Sequence, residues 1–69
     1  MDTIDITANG ETFSIPPGQS LADFLNKLEF DPGMVVVERN GGPVSPSETG
    51  SLRLGAGDRL EIVQIVAGG

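Results

Sequence analysis

Asn9-Gly10 constrains the chain more than any other pair of residues, because it stands between two stretches that alternate apolar and polar side chains, TIDITA and ETFSI. A two-residue hairpin turn requires positive φ at both central positions, and Asn-Gly meets that need at low cost. The turn sets Ala8 opposite Glu11, Ile6 opposite Phe13 and Ile4 opposite Ile15. The large apolar residues then share one face, as cross-strand packing requires, while Asp5, Thr7, Thr12 and Ser14 take the other. A slip of one residue would mix the two faces, so the register is well specified.

A face of Ile and Phe must be covered by something, and the next segment supplies the cover. Pro16-Pro17-Gly18 stops the second strand. Ser20 is a good N-cap, with Asp23 three residues later in a capping-box arrangement. Leu21, Phe24, Leu25 and Leu28 follow at the i, i+3, i+4, i+7 spacing of an amphipathic helix. The pattern predicts a helix over 21–29, ended by Asp31-Pro32-Gly33. One helix laid across one sheet is the economical way to bury both apolar faces.

The second half returns to strands. MVVVERNG reads as a buried strand running into an Asn40-Gly41-Gly42 turn. Pro43-Val44 can pair only briefly, because Pro43 has no N–H to donate. A short strand is expected at 51–54, and Gly55-Ala56-Gly57-Asp58 turns the chain into a last strand over 59–66. GAGD lacks the Gly-Lys-Ser/Thr ending of a phosphate-binding loop and precedes a strand, so it reads as a turn.

Size and composition narrow the function. Sixty-nine residues hold one domain with one small core. There is no Cys, His, Tyr or Trp. The usual general bases, soft metal ligands and covalent nucleophiles are therefore missing, and neither a catalytic residue nor a bound metal or cofactor is expected. The net charge is −6, and Lys27, Arg39, Arg53 and Arg59 form no cluster. That disfavours nucleic acid and anionic membrane surfaces as partners and favours proteins with basic surfaces. The longest uninterrupted apolar run covers 34–37, too short to span a bilayer, and the acidic start MDTID has no secretory character. A cytoplasmic protein, monomeric alone, is expected.

The last segment carries the functional signal. If Leu60 and Ile62 face the core, alternation sends Glu61, Val63 and Ile65 to the opposite face. Val63 and Ile65 would then be exposed just before the sequence Val66-Ala67-Gly68-Gly69, where they could dock a partner. The competing reading is a bulge or a small cluster that covers them. Residues 1–66 are expected to form the domain and 67–69 a flexible tail. Fully extended, residues 66–69 span about 13 Å, enough to enter a neighbouring cleft. Gly69 would offer an unhindered carboxylate, with Gly68 imposing no side chain behind it.

Four stretches together resemble the ThiS sulfur carriers of thiamin biosynthesis. They are the Asn9-Gly10 hairpin, PPGQSLADFL at 16–25, VVVERNG at 35–41 and GDRLEIVQIVAGG at 57–69. Where many such chains carry a basic residue after the proline matching Pro46, this one has Ser47. The resemblance implies an α+β, ubiquitin-like β-grasp fold, with a mixed sheet of four to five strands and one main helix packed across it. It also implies that Gly69 is the modified residue, adenylated and then converted to a thiocarboxylate. The MgATP is used by the activating partner, an adenylyltransferase of the ubiquitin-activating type. A sulfur donor such as a cysteine desulfurase and a thiazole synthase would be the other partners. Val66, Ala67 and Gly68 would occupy a partner's channel, with Val63 and Ile65 docking outside it. A carrier for molybdopterin or another sulfur-containing metabolite, and a ubiquitin-like protein modifier, share the Gly-Gly ending.

Overall fold

The computed structural model describes residues 2–66. Its elements are β1 (Ile4–Ala8), β2 (Glu11–Ile15), α1 (Leu21–Lys27), a 3-10 turn (Pro32–Met34), β3 (Val35–Arg39), β4 (Gly42–Pro43), a second 3-10 turn (Pro46–Glu48) and β5 (Arg59–Gln64). The five strands form one sheet in the order β2-β1-β5-β3-β4. Only β1 and β5 run parallel, so the sheet is mixed. One helix packs on one face of this sheet.

The first hairpin has the register that its alternation demands, with Ile4 opposite Ile15, Ile6 opposite Phe13 and Ala8 opposite Glu11. Asn9 and Gly10 take φ values of 50° and 81°. Asn9 does more than turn the chain. Its side-chain amide donates to the Ile62 carbonyl at 3.0 Å and accepts from the Ile62 N–H at 2.8 Å, like one more rung between β1 and β5.

Ser20 caps α1, its Oγ accepting from the Asp23 N–H at 3.1 Å. The inward residues Leu21, Phe24 and Leu25 are buried. They meet Ile6, Ile15, Val37, Leu60 and Ile62 from the sheet and Leu54 from the long loop. Phe24 also meets Phe13 edge to face, with ring centres 5.3 Å apart. Each fully buried Leu or Phe contributes about 1.5–3 kcal/mol by leaving water.

Four boundaries differ from the sequence expectation. The helix ends at Lys27, before residue 29, because Glu29 adopts φ 64°. The Glu29 N–H bonds the Asn26 carbonyl and the Phe30 N–H bonds the Leu25 carbonyl. These bonds close a Schellman cap in which Glu29 holds the position usually given to glycine. Met34 belongs to the 3-10 turn and β3 starts at Val35. The expected strand at 51–54 is a single bridge between Ser20 and Arg53, since Ser51 and Leu52 N–H groups turn back to the Glu48 carbonyl. β5 ends as a strand at Gln64, although the Ile65 N–H still bonds the Met34 carbonyl at 2.8 Å. The proposed tail at 67–69 lies outside the described residues. Among those described, no helix is long and apolar enough to cross a membrane.

Candidate functional site

β5 is the central strand of the sheet, and its two faces have opposite fates. Leu60 and Ile62 point to the helix and are 1% and 6% exposed. Glu61 and Val63 point to the open face, where Val63 is 63% exposed and Ile65 beyond it 47%. Directly opposite Val63 stands Val36 of β3, itself 53% exposed. Met34 and Val66 are exposed as well. The exposed large apolar side chains among the described residues thus gather on two neighbouring strands and their ends. Contiguous apolar surface of this kind marks interaction sites more often than scattered single residues do.

Alternation alone points to Val63 and Ile65. It does not point to Met34 and Val36, because a continuous run such as MVVV suggests a strand buried on both faces. Among the described residues only one face of the sheet is covered, and of the run only Val37 is buried. The missing signal was available in the pairing: whatever opposes an outward Val63 must itself point outward.

The next rung towards the far end of the sheet carries charge. Glu38 and Glu61 stand opposite one another and both are exposed. Like charges at opposed positions are unfavourable in an isolated sheet. Arg59 and Gly41 border the same two carboxylates. The open face therefore presents an apolar end towards Val66 and an acidic end next to it.

At the start of β5 an anchor that the sequence did not reveal fixes its position. Asp58 is 6% exposed. Its Oδ2 accepts from the Gly55 N–H at 2.8 Å and from Arg39 Nε at 3.0 Å, and its Oδ1 accepts from Asn40 Nδ2 at 3.1 Å. Burial pushes the Asp58 carboxyl upward, but the hydrogen bonds from Gly55, Asn40 and Arg39 outweigh it and hold the group below its ordinary 3.8. Asn40 Oδ1 in turn accepts from the Arg59 N–H at 2.9 Å. Asp58 and Asn40 thereby fasten the β3–β4 turn to the first residue of β5. Nothing in the spacing of Asp58 from Arg39 and Asn40 announces that contact.

A groove of about 210 Å³ runs beside Ile65, between Pro32, Val35 and Val44. It falls below the 300–1,000 Å³ usual for ligand pockets. Among the described residues no three His, Cys, Asp or Glu side chains converge to hold a metal ion.

One helix on a five-stranded mixed sheet of this order is the ubiquitin-like β-grasp fold. The crystal structure of a ThiS thiamine biosynthesis protein from Geobacter metallireducens superposes with a TM-score of 0.79, covering 96% of this chain and all of that one at 22% identity. The chain belongs to the ThiS family, whose family model matches residues 3–69. An uncharacterized protein called ycf40 from Pyropia yezoensis is 38% identical over 66 residues, 96% of this chain and 93% of that protein. A thiazole synthase from Magnetococcus marinus is 38% identical over 64 residues, or 93% of this chain. The chain spans only 20% of that synthase's length.

Proposed function

We propose that this chain is a sulfur carrier of thiamin biosynthesis, a protein substrate acted on by partner enzymes. In this reading Gly69 supplies the terminal carboxylate that reacts. A terminal carboxylate has an ordinary pKa of about 3.3–3.7, so it is ionised at neutral pH and a poor electrophile. Activation is therefore required. On an adenylyltransferase of the ubiquitin-activating type, the Gly69 carboxylate attacks the α-phosphorus of MgATP, releasing pyrophosphate and forming a mixed anhydride. A persulfide supplied through a cysteine desulfurase then displaces AMP, and cleavage of the resulting S–S bond by a thiol leaves a thiocarboxylate. Thiazole synthase consumes that sulfur.

The observation that carries this reading is membership of the ThiS family through residue 69, coupled to the open apolar face on the strand that leads there. Val63, Ile65 and Val36 dock outside the partner's channel, while Val66, Ala67 and Gly68 enter it. Glu38 and Glu61 suit a partner whose apolar cleft is edged by Arg or Lys, with the charge chiefly raising the encounter rate. A stretch similar to this chain within the Magnetococcus thiazole synthase supports pairing carrier and synthase.

Intact mass spectrometry of the protein purified from its native cells tests the proposal. The expected species has one oxygen replaced by sulfur, with the change mapped to Gly69. Adding a residue after Gly69, or replacing Gly68 with Leu, should preserve the fold and abolish adenylation. Conjugates on lysines of heavier proteins would instead identify a protein modifier, and normal adenylation of an untrimmed extended chain would refute the terminal-carboxylate mechanism.

A further inference from the structure

Both Asn-Gly pairs of this chain hold their side chains against the same strand. Asn9 is paired twice with the Ile62 backbone, and Asn40 is held between the Arg59 N–H and the Asp58 carboxylate. Asn-Gly is the sequence in which an asparagine most readily loses its amide, since no side chain shields the following nitrogen. In that reaction the Gly N–H nitrogen attacks the Asn Cγ. A C–N bond forms, the nitrogen gives up its proton, the Cγ–Nδ2 bond breaks and ammonia leaves. Water then opens the cyclic imide at either carbonyl, giving aspartate or isoaspartate. For the attack to occur, the side-chain amide must swing back onto its own following residue.

We propose that β5 guards Asn9 and Asn40 as two latent, coupled deamidation sites. In the folded chain each amide is engaged through both its oxygen and its nitrogen. Attack therefore waits for a local opening that breaks two hydrogen bonds to β5 or its leading residue. The guards differ in exposure. Both Asn9 bonds are partly buried, whereas Asn40 has one partly buried bond, to Asp58, and one exposed, from the Arg59 N–H. Asn40 should open more often. The coupling follows from the shared strand. Aspartate at position 9 loses the donor to the Ile62 carbonyl and sets a carboxylate oxygen beside it. Isoaspartate adds a backbone atom to a two-residue turn whose register depends on its length. Either product loosens β5 and with it the hold on the other asparagine.

The test is ageing at mildly alkaline pH, in buffer and in urea sufficient to unfold the chain, followed by peptide mass spectrometry at both sites. Opening-limited chemistry predicts rates at least roughly tenfold slower in the folded protein at both positions, with Asn40 ahead of Asn9. Chains modified at both sites should exceed the product of the single-site fractions. Equal rates in buffer and urea at either site, or independent modification of the two, would overturn the proposal. As a second measurement, Asn9→Asp should melt below the parent, and an unchanged melting temperature would refute the role assigned to the Ile62 pair.

Discussion

Replacing Asp58 with Ala is the sharpest single test of how β5 is held. The substitution strands three donors at once: the Gly55 N–H, Asn40 Nδ2 and Arg39 Nε. The Gly55 and Asn40 bonds are part-buried, and a hydrogen bond to a charged group contributes about 1.5–3 kcal/mol. The Arg39 side chain is 35% exposed, so solvent screening reduces that ion pair to about 0.2–1 kcal/mol. Because the bonds share one carboxylate, they are not additive, and a total loss of about 2–4 kcal/mol is expected. A domain of 69 residues has a stability of roughly 3–10 kcal/mol, so this is a large share of it. The melting temperature should fall by roughly 10–30 °C. Far-UV circular dichroism or calorimetry is the right assay, because the chain has no Trp or Tyr to report by fluorescence.

Acid titration makes the test stricter. The folded carboxyl lies below its ordinary 3.8, so its charge contributes stability that is fully present above that value. This contribution is lost as pH falls through the lower, folded pKa. The gap in melting temperature between the parent and Asp58→Asn should therefore be constant at neutral and mildly acidic pH and narrow only below about 4. A neutral-pH change under about 2 °C for Asp58→Ala, or a gap that does not narrow in acid, would refute the argument.

Two further outcomes are expected. Glu29→Gly relieves a left-handed residue that costs about 1–2 kcal/mol, offset by about 0.4–1 kcal/mol of extra freedom in the unfolded chain. Thermal melts should show equal or higher stability, by up to about 1.6 kcal/mol, whereas a marked loss would contradict the Schellman geometry. Val63→Asp lies on the open face but on the central strand, opposite Val36 and near Glu61, so it should cost about 1 kcal/mol and leave the domain folded. The same change should slow adenylation by the activating enzyme more than about tenfold if docking uses this face. Unchanged kinetics would place docking elsewhere.

The hairpin register, the helix face and the inward pair Leu60 and Ile62 were legible in the sequence because each rests on a strict local period. Positions set by partners distant in the chain were not. Asp58 reaches Arg39 and Asn40 across 19 and 18 residues, and no period links them. The helix end is hidden because Glu29 sits where glycine is the usual signal. Ser51 to Leu54 alternates like a strand, yet its N–H groups turn back to Glu48 before they can form a ladder. Val36 looked buried because an all-apolar run hides which of its members face outward. Only the facing register with Val63 separates them.

The strand order β2-β1-β5-β3-β4 also dictates a sequence of events during synthesis. A ribosome makes β1 and β2 first and β3 and β4 later, and these two pairs occupy opposite sides of the sheet. What joins them is β5, the last of the described strands to be made. Until it emerges, the nascent chain holds two separate hairpins whose Ile6 and Val37 lack their shared neighbour, and its most non-local pairings are formed last. Closure of the sheet therefore waits for residues 59–64, which pair with β1 on one side and β3 on the other.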